Sequence, residues 1–307
     1  MSRAITFDHL GSTDALTVSD VPEPQAGPGE VRVRVKVAGL NPVDWKILVY
    51  PQLGAAYGLG AFPSGNGNDF AGVVDQIGEG VEGWRIGDEV LGGSRFFAQA
   101  DYLVADPAKL VAKPAGLSWE QAGGLDIAGR TAWASVAAQH HGKGDTVLVS
   151  AAAGGVGVLA AQLAKRAGAT VIGSAGTDNH EFLRSLGIVP VEYGDGLVER
   201  IRGLAPDGVT AVLDNHGRAT IEAGIALGVD PSRINSIADR AAVQEVGGTG
   251  IGGAEASIAD LAVLAQLIAD GEIEFPIDSS FPLERVREAY AKLQEGHARG
   301  KIVLVTE

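Results

Sequence analysis

The 307-residue sequence contains no cysteine. That absence excludes disulfide cross-links, a thiolate nucleophile and any thiolate-held metal centre. Positive charge is scarce as well: 24 Lys and Arg stand against 38 Asp and Glu, a formal net charge of -14. A surface of that sign repels phosphodiester backbones and anionic bilayers, so neither nucleic acid nor membrane is an expected partner. Long apolar runs are missing too. The greasiest stretch, LAVLAQLIA at 261–269, falls far below the roughly 20 residues that span a bilayer. The first residues, MSRAITFDHLGSTDAL, hold no apolar segment of a secretion signal, which predicts a cytoplasmic protein. The six histidines are scattered, with only His140 and His141 adjacent, so no metal site is expected.

What is present is enough apolar material, 46% of residues, for two cores of moderate size. Two textures divide near residue 118. Before it, EVRVRVKVAGL (30–40) alternates apolar and charged residues, and clusters such as PEPQAGPG (22–29) break the chain, as in an irregular β-rich domain. After it, strands TVLVSA (146–151), TVIGSA (170–175), VTAVLDN (209–215) and RINSIAD (233–239) alternate with helical segments. That order predicts right-handed βαβ crossovers and a parallel sheet. Helices at about 256–270 and 284–295 precede a final strand, KIVLV, placed to rejoin the first domain. The expected domains are 1–118 with 248–307, and 119–247.

The stretch SAAAGGVGVLAAQLAKRAG (150–168) follows the first of those strands and opens a helix. Its pattern, Ala152-x-Gly154-x-x-Gly157, is the dinucleotide-binding fingerprint with alanine for the first glycine. Gly154 lets backbone approach a pyrophosphate, Gly157 lets the helix lie against the strand, and the N–H groups from Gly155 onward receive the phosphate charge. At the end of the next strand an NAD enzyme carries Asp or Glu for the ribose 2′-hydroxyl. Here Ser174 stands in that place, with His180 and Arg184 as candidates to pair a 2′-phosphate, so NADPH is the expected cofactor. Arg184 reads equally as a solvated helix residue.

GDTVLVSAAAGGVGVLAAQLAK (144–165), PGEVRVRVKVAGLNPVDWKI, FAGVVDQIGEGVEGWRIGDEVLG (70–92), GRTAWASV (129–136) and GHARGKIVLV (296–305) together carry a resemblance. The sequence resembles the zinc-free medium-chain dehydrogenase/reductases of the quinone oxidoreductase (zeta-crystallin-like) family over nearly its whole length. The resemblance implies an α/β protein: a GroES-like β-rich catalytic domain split around a Rossmann domain with a doubly wound parallel sheet. It implies an active site between the two and a homodimer. The expected cofactor set is Thr131, Ala153, Gly154, Gly155, Val156, Gly157, Ser174, His180, Arg184, Tyr193, Asn215, His216 and Ile237. Zinc-dependent members hold their metal with a cysteine and a His-Glu pair; the matching places carry Asn41, Asn68 and Asp69. The expected reaction is hydride transfer from NADPH to a quinone or to the activated C=C bond of an α,β-unsaturated carbonyl compound. The same scaffold also serves enoyl and tailoring reductases, and redox-silent relatives used as cyclases or structural proteins.

In GLNPVDWKILVY (39–50), Lys46, Asn41 and Asp44 are the candidate catalytic residues, Lys46 holding the substrate oxygen by family resemblance. Asn41 and Asp44 have a second reading as N-cap and N3 of a helix with Pro42 at N1. Tyr50 and Tyr57 are candidate substrate walls or packing residues. Asp126 and Arg130 replace a proline and an apolar residue of the family pattern, either selecting a polar substrate or forming a salt bridge. His216, at a strand's carboxyl end, is either an acid or a hydrogen-bonded lining residue.

Overall fold

The computed structural model describes residues 1–306. Its first strands are β1 (Ser2–Phe7), β2 (Thr17–Val21) and β3 (Val31–Gly39), followed by helices α1 (Pro42–Val49) and α2 (Pro51–Ala56). Strands β4 (Ser64–Gly65), β5 (Asp69–Ile77), β6 (Glu89–Gly93), β7 (Tyr102–Ala105) and β8 (Leu110–Ala112) lead to α3 (Trp119–Gly123) and α4 (Asp126–Gln139). From β9 (Thr146–Val149) the chain alternates: α5 (Gly155–Arg166), β10 (Thr170–Ser174), α6 (His180–Ser185), β11 (Val189–Val191), α7 (Leu197–Leu204), β12 (Ala211–Asp214), α8 (Arg218–Ala226), β13 (Ile234–Ser236) and α9 (Arg240–Glu245). It ends with α10 (Ile258–Ala269), β14 (Ile277–Pro282), α11 (Val286–Glu295) and β15 (Lys301–Val305).

Two units result. One is Met1–Ile127, Leu261–Asp270 and Pro276–Glu307; the other is Ala128–Asp260 and Gly271–Phe275. The expected division at 118/119 therefore moves to 127/128, because α3 packs on β3 and β5. The expected return at 248 is also displaced: Thr249 bridges Asn235 beside β13, so the stretch to Asp260 stays with the parallel sheet.

In the first unit, β3 buries Val31, Val33, Val35 and Val37 while Arg32, Arg34 and Lys36 between them stay half exposed, the period of two read from the sequence. A seven-stranded sheet runs β14-β15-β3-β5-β6-β8, with β7 also on β3. The last strand lies antiparallel to β3, Val303 opposite Gly39, so the carboxyl-terminal end returns to the first sheet. Phe7, Leu16, Leu48, Leu283 and Tyr290 meet in one core of this unit.

The second unit holds a parallel sheet of order β11-β10-β9-β12-β13. Strand order reverses at β9, which opens the crevice where such sheets take ligands at their carboxyl ends. Leu148, Ile172, Val212 and Ile234 fill its core.

Between α4 and β9, His141 is buried and neither ring nitrogen has a hydrogen-bond partner. Burial, and then the Arg233 guanidinium, push its pKa down to about 4. The unfolded chain takes up a proton below its ordinary value of 6.5, which the folded ring refuses. Stability is therefore lost as pH falls from that value to about 4, by about 2 kcal/mol in all. His141→Phe is expected to remove that loss, so that its stability relative to the wild type grows as pH falls between those two values in urea titrations; a constant difference would assign the loss to other groups.

Candidate active site

The turn after β9 is tight. Ala151 adopts φ +47°, and Gly154 N-caps α5 with no side-chain hydrogen bond. A Cβ on Gly157 would lie 2.1 Å from the Ala151 carbonyl oxygen, so the helix rests on the turn closer than any side chain allows. The first-turn N–H groups of Gly155, Val156 and Gly157 have no carbonyl one turn back and no capping side chain. Gly154 to Val156 are half exposed while Ala153 is buried behind them. A bare, positively polarised helix end of this kind fits a pyrophosphate.

The other expected cofactor residues gather mostly at the carboxyl ends of the same sheet. Ser174 is buried at the end of β10, and its carbonyl accepts from Ala152 N–H at 3.0 Å. The His180 ring lies 3.3 Å from the Ala175 carbonyl oxygen. Tyr193 and His216 stack with centroids 6.5 Å apart, and a Cβ on Gly176 would sit 3.9 Å from the Tyr193 ring. Asn215 donates to the Ser150 carbonyl at 2.9 Å, and Ile237 N–H to the Asp214 carbonyl at 3.0 Å. Thr131 is buried against Gly253. Arg184 is exposed four residues along α6 from His180.

Asp214 organises these ends. One carboxylate oxygen accepts from Ser150 Oγ at 2.8 Å and from the His216 and Gly217 N–H groups, both at 2.9 Å. The other accepts from Ser236 Oγ at 2.6 Å. Three strand ends are thereby fixed by one buried acid.

In the first unit, Asn41, Pro42 and Asp44 do begin α1. Asp44 Oδ2 accepts from Asn41 N–H at 2.7 Å, completing a capping box. Both side chains point inward. The Asn41 amide donates to Asp69 Oδ2 at 3.0 Å and accepts from Lys301 Nζ at 2.6 Å. Asp44 is fully buried, accepts from Asn68 Nδ2, and lies 3.4 Å from the hydroxyl of fully buried Tyr290. Burial, and then the charge of Asp69, push the Asp44 pKa up to about 7. Burial and Asp44 likewise raise the Tyr290 phenol well above its usual value. Asn41 and Asp44, expected as catalytic, are thus engaged in holding α1; their polar atoms are spent within the fold. Lys46 differs: the residue is half-buried, its ammonium makes no ion pair among the described residues, and it lies 5.9 Å from the centroid of the Trp45 ring.

Of the candidate substrate residues, Tyr50 and Tyr57 are exposed. Arg95 stacks on Tyr57 at 5.2 Å from the ring centroid. Asp126 is buried beside Gly93, where an added Cβ would meet its carboxylate at 2.4 Å, and Arg130 donates to the Ala256 carbonyl at 3.0 Å.

Residues 27–117 match the family described as alcohol dehydrogenase GroES-like domain, and residues 189–304 that described as zinc-binding dehydrogenase. Quinone-oxidoreductase QR1 of Triphysaria versicolor is 30% identical over 99% of this chain and 98% of its own. An NADPH-dependent alkenal/one oxidoreductase of Arabidopsis thaliana is 30% identical over 98% of this chain and 79% of its own. The quinone oxidoreductase structure from Coxiella burnetii superposes with a TM-score of 0.88 at 31% identity, covering 100% and 99% of the two chains. The chain belongs to the zinc-free medium-chain dehydrogenase/reductases of the quinone oxidoreductase family. Its β-rich unit is the GroES-like domain and its parallel-sheet unit the Rossmann domain. It is an oxidoreductase of a family whose Rossmann domain binds a nicotinamide cofactor.

The zinc named in one family description does not fit the residues present. At the matching places Asn41 and Asp69 already surround the Lys301 ammonium, 2.6 and 3.4 Å away, and no thiolate or imidazole joins them. A divalent ion would be repelled by that fixed charge and offered only poor donors. Sequence reasoning missed Lys301, Tyr290 and Asp214. Only Asp214 left a signal, an acid closing the apolar strand AVLD.

Among the described residues, no helix is long and apolar enough to cross a membrane.

Proposed function

We propose that this protein is an NADPH-dependent reductase of quinones and of the activated C=C bond of α,β-unsaturated carbonyl compounds, working without a metal. The observation that carries this reading is the Lys301 ammonium lodged between Asn41 and Asp69. With no place for a Lewis acid, the acceptor must be activated by its own conjugated carbonyl. The phosphorylated cofactor is favoured by Ser174 in the position where NAD enzymes carry an acid, with Tyr193, His180 and His216 close to the same strand ends. The relative named as an NADPH-dependent alkenal/one oxidoreductase supports both halves of the reading.

Bound on α5, NADPH supplies the hydride. The first-turn N–H groups of α5 would hold its phosphates, and the stacked rings of Tyr193 and His216 would offer it a flat face. The unpaired ammonium of Lys46 receives the oxygen that gains charge as the acceptor carbon is reduced. Water delivers the final proton.

Loss of NADPH absorbance with a panel of quinones, alkenals and cyclic enones tests the reading. Turnover is expected with NADPH in preference to NADH, and unchanged by chelators. Lys46→Met is expected to lower kcat about 100-fold with the Kd for NADPH unchanged. Failure to bind NADPH, or chelator-sensitive turnover, would overturn the proposal.

A further inference from the structure

The carboxyl-terminal strand begins with a lysine that ought to be at the surface. Lys301 is instead buried, 4% exposed. Its stem runs along bare backbone: a Cβ on Gly124 would lie 3.2 Å from Lys301 Cε and 3.3 Å from its Cβ and Cγ. That path exists because Gly39 and Gly123 let β3 and α3 approach closely; a Cβ on Gly39 would lie 2.6 Å from the Gly123 oxygen. At its end the ammonium meets three acceptors, the Leu40 carbonyl at 2.7 Å, Asn41 Oδ1 at 2.6 Å and Asp69 Oδ2 at 3.4 Å. Three acceptors match its three N–H bonds. Asp69 Oδ2 also accepts from Asn41 Nδ2 at 3.0 Å, closing a ring of three side chains, while Asp69 Oδ1 accepts from Ile127 N–H at 3.0 Å in the first turn of α4. The charged and titratable groups on this ring and beyond it are Asp69 on β5, Asp44 on α1 and, behind Asp44, Tyr290 on α11.

We propose that Lys301 is a positioning residue whose ammonium acts as a built-in cation, gripping Asn41 and Asp69 so that the first turns of α1 and α4, and with α1 the substrate-facing Lys46, are held in place. This rests on the reading of the protein as an enone and quinone reductase. The metal of zinc-dependent relatives would bring positive charge to these same positions from solution; here the charge is covalently attached and cannot be removed by a chelator. Its task is mechanical: the cofactor donates the hydride, and the lysine keeps its proton throughout.

The test is chemical rescue of Lys301→Ala, followed both by kcat with a cyclic enone and by thermal melting without cofactor or acceptor. The substitution removes three carbons and the ammonium, so n-propylammonium is the missing piece and n-propanol its uncharged counterpart. We expect kcat to fall at least about tenfold at an unchanged KM for NADPH, and propylammonium, but not propanol, to restore both kcat and the melting temperature. Unchanged kcat in the folded variant, equal rescue by propanol, or restored melting without restored kcat would each overturn the proposal. If Lys301→Ala does not fold, Lys301→Met combined with Asp69→Asn removes both charges of the pair; that variant is expected to fold with low kcat, and wild-type kcat in it would refute the positioning role. If the wild type reduces none of the acceptors, the functional reading fails by itself. The melting data then decide for the lysine, whose grip is refuted if propylammonium brings no rise beyond that of propanol.

Discussion

Gly157→Val is expected to abolish detectable binding of NADPH and NADH alike. The added Cβ would lie 2.1 Å from the Ala151 oxygen and 2.8 Å from its carbon, backbone atoms that cannot swing aside as a side-chain end does. Either α5 lifts from the turn or the turn deforms, and both move the N–H groups that face the phosphates. Overpacking of this kind costs about 1–3 kcal/mol of stability, and the displaced helix end weakens the cofactor Kd at least about 100-fold. Gly154→Ala separates the two effects. There a Cβ would stand 3.3 Å from the Ala151 oxygen, so the fold persists while the side chain intrudes on the approach to the phosphates; a Kd raised about tenfold with little change in melting is expected. Calorimetric titration with both cofactors reads the outcome. Wild-type affinity in Gly157→Val would move the cofactor away from α5.

Asp44→Asn is expected to make the protein more stable above neutral pH and to leave it unchanged near pH 4. The folded carboxyl has its pKa raised from 3.8 to about 7, chiefly by burial and next by Asp69. In the unfolded chain the group ionises near its ordinary value. The favourable contribution is therefore complete below 3.8 and is lost progressively as pH rises to about 7, beyond which the deficit is constant. The full difference is about 4 kcal/mol as an upper figure. Asparagine keeps the carbonyl oxygen that accepts from Asn41 N–H and discards the charge. Urea unfolding from pH 4 to 8 checks this; equal slopes for the variant and the wild type would show that Asp44 is ionised in the folded protein throughout. The His141 effect has the opposite sign over much of the same range, and it belongs to the other unit. The two slopes offset one another in the wild type, so each is read from the difference between its own variant and the wild type.

Much of the architecture was legible because it is written in local pattern. The alternation in β3, the glycines before α5 and the Asn-Pro-x-Asp start of α1 each reside in about ten consecutive residues and need no distant partner. The same locality explains what misled. Asn41 and Asp44 sit beside Lys46 in sequence, and nothing in GLNPVDWK says that two of the three face inward. That is settled by Asp69, Tyr290 and Lys301, which arrive from β5, α11 and β15. The domain limits shifted for a related reason: α3 is recruited to the first sheet by packing on β3 and β5, whatever its sequence neighbours do.

By itself the amino-acid sequence determined the two folding patterns, the cofactor turn and the kinship with the quinone oxidoreductases, because helix caps, strand alternation and glycine turns are short-range consequences of backbone geometry. Tertiary structure alone decided that a lysine 260 residues from Asn41 would close the space between it and Asp69. That pairing exists only because β15 returns antiparallel to β3 and three glycines leave a path for the side chain; an ammonium finds its partners by where the strands cross, which no stretch of neighbouring residues encodes.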